Sequence, residues 1–230
     1  MSEPLAVVTI DGPSGVGKST ISRRVAARLG FTYLDTGAMY RAVALRCRQE
    51  NLAITNEKAV AAILPLLNIR LLPARSEQEE TRVILDGVEV SEEIRTPEIS
   101  MLASAVSALG PVRSALTRMQ REMGATGKIV AEGRDTGTVV FPGAAWKIYL
   151  DASPEVRAKR RIRQLRERGE EVNEAEILAQ IVKRDRDDSE RTIAPLKAAP
   201  DAVRIDSTGM SVDEVVEQVL GVVQQQQKAG

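Results

Sequence analysis

Short apolar runs alternate with longer segments of mixed polarity along most of the chain. The apolar runs lie at residues 5–10, 31–34, 128–131, 145–150 and 202–205. Runs of this length that are apolar on both faces are typical of strands buried in a parallel sheet. After the first run, Ile21, Val25 and Leu29 recur at every fourth position, which predicts a helix with one apolar face. The alternation predicts an α/β fold in which helices cover a central parallel sheet of five strands.

A different pattern begins at about residue 63. Three β-like runs follow one another without an intervening helix, at residues 66–72, 82–85 and 88–90. Asp86 and Gly87 separate the last two runs, and an Asp-Gly pair in this position is a strong signal for a two-residue hairpin turn. We therefore expect a small antiparallel insertion of about three strands, distinct from the parallel core.

The first apolar run leads into a glycine-rich motif. Residues 12–19 match the pattern G-x-x-x-x-G-K-[ST], which is that of a P-loop. The backbone N–H groups of such a loop surround phosphate oxygens, and the following helix adds the positive end of its dipole. Lys18 is placed to reach the outer phosphates, and the Ser19 hydroxyl is placed to ligate Mg²⁺. The predicted ATP-binding residues are Gly12, Pro13, Ser14, Gly15, Val16, Gly17, Lys18, Ser19 and Thr20.

Polar clusters follow other predicted strands, where ligands bind in parallel sheets. Glu132 ends a strand as a Walker-B-type carboxylate does, in a position to hold a water molecule on Mg²⁺. Two glycines flank Arg134 and Asp135, which indicates backbone folded tightly against a ligand, although a salt-bridged turn also explains this pair. Arg41 lies one turn into a predicted helix, where the helix dipole disfavours a cation, so a bound anion would explain its position.

Two further segments concentrate arginine on predicted helices. Arg184, Asp188 and Arg191 share one helix face, and a solvated charged face is the usual explanation of such a run. The helix that follows Ser153 carries many arginines, and either a solvated face, an RNA-binding patch or a lid that clamps the transferred phosphate would explain them. These arginines are Arg157, Arg160, Arg161, Arg163, Arg166 and Arg168.

Composition excludes several classes of chemistry. The 230 residues include 32 basic and 32 acidic residues, and this balance argues against a general nucleic-acid binder. The absence of histidine excludes histidine triads and histidine-ligated metals. Cys47 is the single cysteine, so no internal disulfide is possible. No signal-peptide pattern and no apolar run of 18 residues are present, so we expect a cytoplasmic protein without a membrane partner.

Several of these segments together resemble the bacterial cytidylate (CMP) kinases. The matching segments are residues 10–20, 34–41, 133–142, 147–152, 184–191 and 194–196, of which Gly-Arg-Asp-x-Gly-Thr-Val-Val-Phe-Pro at 133–142 is the most specific. The resemblance implies a three-layer P-loop fold of the nucleoside monophosphate kinases, with a parallel five-stranded sheet, a small antiparallel insertion and a short helical lid. It divides the chain into a core (4–62, 104–152 and 190–223), an NMP-binding insertion (about 63–103) and a lid (about 153–172).

The resemblance also implies a role for individual residues. In the family pattern, the CMP phosphate is held by Arg41, Arg134 and Arg184. The cytosine is contacted by Ser104, Arg113 and Arg191. The sugar is contacted by Thr36, Asp135 and Asp188, and Tyr40 belongs to the same site. The implied catalytic residues are Lys18, Arg134, Arg184, Arg157 and Arg161, and the implied metal site consists of Ser19 with Glu132 acting through water. Two positions depart from common members of the family: Thr36 replaces a serine, and Glu132 replaces an aspartate.

The implied function is the ATP- and Mg²⁺-dependent phosphorylation of CMP and dCMP in pyrimidine nucleotide metabolism, by a monomer that binds neither nucleic acid nor membrane. One alternative is a P-loop kinase for another small acceptor, such as uridylate, thymidylate or a metabolite. A second alternative is a P-loop regulator that binds nucleic acid through the arginine-rich helix. The balanced charge and the interleaved acidic residues argue against this second alternative.

Overall fold

A computed structural model describes residues 5–74, 79–167 and 169–229. Arg168 lies outside the described residues. Within them the chain forms two compact units. The first unit contains the residues up to Tyr33 and those from Gly127 onward, and the second contains Leu34–Thr126. The division into core, insertion and lid remains a prediction.

Both units contain strands and helices. The described strands are β1 (Leu5–Asp11), β2 (Thr32–Asp35), β3 (Ile69–Leu72), β4 (Arg82–Leu85), β5 (Val88–Glu89), β6 (Ile129–Gly133), β7 (Ala144–Asp151) and β8 (Val203–Asp206). The described α-helices are α1 (Lys18–Leu29), α2 (Thr36–Gln49), α3 (Glu57–Ile63), α4 (Pro97–Val106), α5 (Gly110–Met123), α6 (Pro154–Glu167), α7 (Glu174–Glu190) and α8 (Val212–Ala229). A π-helical turn spans Thr136–Val140.

The central sheet has five strands in the order β2-β6-β1-β7-β8. Strand β1 pairs in parallel with β6 on one side and with β7 on the other. Since the P-loop follows β1 directly, it emerges from the middle of the sheet, between the ends of two neighbouring strands. This arrangement confirms the predicted five-stranded parallel sheet.

The core of the first unit lies where helices α1 and α8 cover the sheet. Ile21 and Val25 come from the predicted apolar face of α1, and both are buried in one cluster with Ile10 of β1, Ile148 of β7 and Val219 of α8. The regular spacing of apolar residues on α1 therefore fixes which face of this helix meets the sheet. The start of α1 is held at the P-loop as a consequence.

The second unit contains the predicted antiparallel insertion. Strands β3, β4 and β5 pair in that order, and the pairing of Leu85 with Val88 closes the hairpin at Asp86 and Gly87. Both turn residues have positive φ values, of 50° and 88°, as a two-residue hairpin turn requires. Strand β3 begins at Ile69, later than the apolar run at 66–72 predicted. Pro65 lies in a 3₁₀ turn just before it, and proline lacks the N–H that a strand would use.

No helix within the described ranges is by itself long and apolar enough to cross a membrane. Helices α4 and α5 reach that length and composition only when they are taken together as a pair bent by 100°.

Candidate active site

The P-loop has the backbone that its glycines predict. Gly12, Gly15 and Gly17 have φ values of 155°, 76° and 98°, which L-residues with side chains rarely adopt. A Cβ atom at Gly12 would lie 2.0 Å from the carbonyl oxygen of Leu150 in β7, so this position excludes every other residue. Gly17 caps α1 without a side chain, which leaves the first N–H groups of the helix facing the loop. The loop is therefore built to bind an anion.

Lys18 is held inside this loop. Its side chain donates a hydrogen bond of 2.7 Å from Nζ to the carbonyl oxygen of Pro13, and the residue is only 7% exposed. Burial lowers the pKa of Lys18 well below its ordinary value, and the positive charges of Arg134 and Arg184 lower it further, against the opposing charge of Glu132. The charges of Lys18, Arg134 and Arg184 therefore repel one another, and bound phosphate would relieve this repulsion.

Glu132 and Ser19 form the candidate metal site. The Ser19 hydroxyl donates a hydrogen bond of 2.7 Å to Oε1 of Glu132, and the hydroxyl of Tyr33 donates to the same oxygen. Hydroxyl and carboxylate oxygens are hard donors of the type that Mg²⁺ prefers. The described residues contain no group of three or more acidic or cysteine side chains placed to hold a metal ion. One hydroxyl and one carboxylate fit a cation that takes its other ligands from water and phosphate.

Asp11 joins the P-loop strand to the Gly-Arg-Asp motif. Its Oδ1 accepts hydrogen bonds from the backbone N–H of Thr136 at 2.9 Å and from the Thr136 hydroxyl at 2.8 Å, and its Oδ2 accepts one from the N–H of Gly137 at 2.7 Å. Burial raises the pKa of Asp11, although these hydrogen bonds lower it in part. The three bonds fix the segment that carries Arg134 and Asp135.

Arg134 belongs to a buried cluster of charges. Its Nε donates a hydrogen bond of 2.9 Å to Oδ2 of Asp188, while Arg191 lies 3.8 Å from Asp188 and 3.7 Å from Asp135. Burial would raise the pKa of Asp188, but the charges of Arg134, Arg184 and Arg191 outweigh it and hold this pKa below its usual range. The structure thus brings together five residues predicted for CMP binding.

One detail of this cluster differs from the prediction. Arg191 does not extend the face of helix α7, because the helix ends at Glu190 and Arg191 has extended backbone angles. Its Nε donates a hydrogen bond of 2.6 Å to the carbonyl oxygen of Ala194, which holds the side chain toward the cluster. The residue reaches Asp188 through the turn after the helix rather than through helical spacing.

Helix α6 holds the outer side of the P-loop. Arg157 is 2% exposed and donates hydrogen bonds to the carbonyl oxygens of Ser14 and Ala152, at 3.0 and 2.9 Å, and to both carboxylate oxygens of Asp185. Arg160, which the sequence did not single out, donates to the carbonyl oxygen of Val16 at 3.3 Å. The N–H groups of the loop face the anion site, while these arginines hold two of its carbonyl groups.

The remaining arginine predicted on α6 is Arg161, which is half-buried. Neither its catalytic role nor that of Arg157 is tested by the geometry, and both remain predictions. Thr20 lies exposed in the first turn of α1, within the predicted ATP-binding segment.

In the second unit, Arg41 has an anionic partner at the N-cap of its own helix. Asp35 caps α2 by accepting a hydrogen bond of 2.8 Å from the N–H of Ala38, and its other oxygen accepts one of 2.9 Å from Arg41. The sequence argument took the position of Arg41 as a sign of a bound anion. The carboxylate of Asp35 already explains that position, so the role of Arg41 in binding stays a prediction.

Two other predicted residues of the second unit contact each other. The guanidinium of Arg113 lies over the ring of Tyr40, 5.6 Å from its centre, and donates a hydrogen bond of 3.1 Å to the carbonyl oxygen of Ser107. Arg113 is 4% exposed, so its planar group has a fixed orientation. Thr36 is buried at the start of α2, and Ser104 is half-buried on α4.

Sequence reasoning missed Tyr33, Asp11 and Arg160. Tyr33 fits the pattern of an ordinary strand residue, and no motif connects it with Glu132, 99 positions later. Asp11 precedes the P-loop directly, and a buried carboxylate at the end of a central strand was the one available signal. Arg160 was one of several similar arginines in one predicted helix, and its hydrogen bonds to Val16 and Ser207 became visible only in the structure.

Comparison with known proteins agrees with these features. The family model for cytidylate kinase matches residues 8–225. The chain is 50% identical to the cytidylate kinase of Geobacter sp. (strain M21) over 211 residues, which cover 92% of this chain and 89% of the relative. It is 44% identical to that of Stutzerimonas stutzeri over 230 residues, which cover 100% of both chains.

A solved structure of an uncharacterized protein from Eubacterium ventriosum has a TM-score of 0.52 to this chain at 10% identity. The match covers 95% of this chain and 98% of that one, and at this identity it shows likeness of fold alone. The family model and the relatives match the sequence of this chain over nearly its whole length, and this match establishes the family. The resemblance predicted from the motifs is confirmed, and the chain belongs to the cytidylate kinase family.

Proposed function

We propose that this chain transfers the γ-phosphoryl group of ATP to the phosphate of CMP, and of dCMP, with Mg²⁺ as the metal. The observation that carries the proposal is a P-loop with a buried lysine, whose strand is hydrogen-bonded through Asp11 to the segment that carries Arg134, in a chain of the cytidylate kinase family. A phosphate oxygen of CMP is already deprotonated at neutral pH, so the reaction needs no general base. The absence of histidine from the sequence is consistent with this chemistry.

The P-loop would hold the phosphates of ATP. Its N–H groups and Lys18 would bind the oxygens, and Arg157 and Arg160 would keep the loop in shape by holding its carbonyl groups. Ser19 would ligate the metal ion, and Glu132 would orient Ser19 and a metal-bound water. When bound, Mg²⁺ supplies positive charge that neutralises the charge developing on the phosphates.

Other residues of the first unit would bind the acceptor. Arg134 and Arg184 would hold the phosphate of CMP, and guanidinium groups suit this task because they grip phosphate through two hydrogen bonds. Asp135 and Asp188 would contact the sugar and Arg191 the cytosine, as the family resemblance implies. Asp188 would help to hold Arg134 and Arg191 in place, through its hydrogen bond to the first and its charge beside the second. Catalysis would then consist of positioning and charge stabilisation.

As the family resemblance implies, Arg41 would contact the phosphate of CMP, Thr36 the sugar, and Ser104 and Arg113 the base. The stacking of Arg113 on Tyr40 supports a role in base recognition, because it fixes the direction of the guanidinium donors. We further propose a monomeric enzyme of the cytoplasm that acts on free nucleotides. The net charge of zero supports the absence of a nucleic-acid partner.

A panel of acceptors tests the proposal. ADP formation from Mg-ATP would be measured with CMP, dCMP, UMP, dTMP and AMP, and without an acceptor. We expect rapid turnover with CMP and dCMP and weak turnover with UMP. Activity confined to another acceptor would retain the kinase and reject the cytosine assignment, while ADP formation independent of any acceptor would indicate an NTPase.

Lys18 provides the matched variant for this assay. Lys18→Ala should reduce kcat by about 10²–10³, the range found when one hydrogen-bond donor to a transition state is removed. Lys58→Ala is the control, because this lysine is exposed on α3. Turnover of the Lys18 variant close to that of the control would reject the assignment of the site.

A further inference from the structure

Three side chains from three elements meet at one oxygen atom beside the P-loop. Oε1 of Glu132, on β6, accepts hydrogen bonds from the Ser19 hydroxyl on α1 and from the Tyr33 hydroxyl on β2. Glu132 is only 4% exposed, so this oxygen has little access to water. The proposed mechanism uses Ser19 and Glu132 but gives no task to Tyr33.

The length of the Glu132 side chain suggests what Tyr33 does, because a long side chain needs a second contact to keep its carboxylate in one position. A glutamate side chain has one methylene group and one rotatable bond more than an aspartate side chain. Its carboxylate can therefore swing further from Ser19 than an aspartate can. Tyr33 is able to oppose this motion because its ring packs against the buried apolar cluster that contains Ile10 and Val25, so its hydroxyl is a fixed point.

The orientation of Ser19 depends on where that carboxylate lies. A serine hydroxyl has one hydrogen to donate and two lone pairs to offer. While the hydrogen points at Glu132, at a distance of 2.7 Å, the lone pairs remain available to a cation on the other side. If Glu132 moves away, the hydroxyl rotates freely and loses this preferred orientation. Partners of this kind, one bond removed from a metal ligand, commonly decide how well the ligand binds.

We propose that Tyr33 is a positioning residue for the metal–nucleotide site, which holds Glu132 in place and so orients Ser19 toward Mg²⁺. The inference rests on the proposed function for the identity of the metal–nucleotide ligand. Tyr33 touches neither the metal nor the nucleotide in this account. It acts through Glu132, and the effect of removing it must therefore depend on both the metal and Glu132.

Tyr33→Phe removes the hydroxyl and keeps the ring that packs in the core. The affinity for ADP would be measured by titration calorimetry twice, once with excess Mg²⁺ and once with EDTA. We expect Tyr33→Phe to weaken Mg-ADP binding by roughly tenfold, the lower end of the range for such partners, and to leave ADP binding in EDTA unchanged. An equal loss in both conditions, or no loss in either, would overturn the proposal.

A double-mutant cycle with Glu132→Asp tests whether Tyr33 acts through Glu132. The shorter aspartate cannot reach Ser19 and Tyr33 together, so Glu132→Asp alone should also weaken Mg-ADP binding selectively. Adding Tyr33→Phe to it should then have little further effect. Additive losses would overturn the proposal. Because Glu132→Asp leaves Tyr33 intact, its metal-specific loss also tests the arrangement if Tyr33→Phe folds poorly.

The design separates this inference from the proposed function. If the wild type phosphorylates CMP while Tyr33→Phe binds Mg-ADP normally, the positioning role is wrong and the function stands. If Tyr33→Phe weakens Mg-ADP binding selectively while no acceptor of the panel is phosphorylated, the positioning role stands and the function is wrong.

Discussion

Replacing Asp188 with asparagine should destabilise the protein through the cations that this carboxylate holds together. Asp188 accepts a hydrogen bond of 2.9 Å from Arg134 and lies 3.8 Å from Arg191, and the charge of Arg184 also acts on it. Asparagine has nearly the same shape but carries no charge. The substitution therefore leaves three neighbouring cations with less negative charge, while the packing changes little.

The magnitude follows from the burial of the pair. The exposed fractions of the Asp188, Arg191 and Arg134 side chains are 8%, 9% and 19%, so solvent screens their charges only weakly. Removing one partner of a buried ion pair costs about 3–5 kcal/mol. Since asparagine still accepts a hydrogen bond from Arg134, we expect the lower end, a loss of about 3 kcal/mol in the free energy of unfolding.

The pH dependence identifies the cause of this loss. The folded-state pKa of Asp188 lies below the ordinary value of 3.8, so its stabilising contribution is fully present above that value. As the pH falls below it, the unfolded chain takes up the proton first, and the contribution is lost on the way to the folded-state pKa. The difference between wild type and Asp188→Asn should therefore be constant from pH 7 to pH 5 and shrink below about pH 4.

Urea unfolding of both proteins, at pH 7, at pH 5 and at the lowest pH where the wild type still unfolds cooperatively, measures this difference. A loss below about 1 kcal/mol at pH 7 would mean that the buried cluster contributes no more than a surface ion pair. A loss that does not depend on pH would mean that packing or hydrogen-bond geometry, and not charge, is responsible.

Three further substitutions test other contacts. Gly12→Ala should abolish soluble expression or ATP binding, because its Cβ atom would lie 2.0 Å from a carbonyl oxygen of β7. Gly143→Ala is the control and should behave as wild type, because a Cβ atom there has no neighbouring atom within 4 Å. Normal ATP binding by Gly12→Ala would contradict the P-loop geometry. Arg157→Lys should lower the free energy of unfolding by about 2 kcal/mol, because a lysine cannot replace the guanidinium fork. The same substitution should raise KM for ATP more than KM for CMP. An unchanged free energy of unfolding and unchanged KM values would contradict this prediction. Tyr40→Leu should raise KM for CMP severalfold with little change in KM for ATP, because it removes the ring under Arg113. Equal changes in the two KM values would argue against a role of Arg113 and Tyr40 in recognising the base.

The fold could be predicted to a large extent because its signals are local. The apolar runs, the helical spacing of Ile21 and Val25, and the Asp86-Gly87 turn each specify a structure within a few residues. The glycines of the P-loop predicted positive φ angles, and the structure has them. The start of β3 could not be placed, because the apolar run begins at Leu66, which is still part of the 3₁₀ turn, and only the backbone geometry separates turn from strand.

The contacts within the candidate site could be predicted less well because most of them join distant positions. Asp11 and Thr136 are 125 positions apart, and Arg157 and Ser14 are 143 apart, so no spacing rule connects them. The motifs in the sequence predicted which residues belong to the candidate site, and the structure showed the hydrogen bonds between them. The position of Arg41 is explained by the carboxylate of Asp35 as well as by a bound anion, so its role in binding stays a prediction.

The central claim is that the γ-phosphoryl group of ATP moves to CMP, and the most direct measurement follows both products together. A mixture of Mg-ATP and CMP would be monitored by ³¹P NMR after the protein is added. Our account predicts that ADP and CDP appear in equal amounts and that inorganic phosphate does not accumulate. Accumulation of ADP with inorganic phosphate while CMP remains unchanged would contradict it.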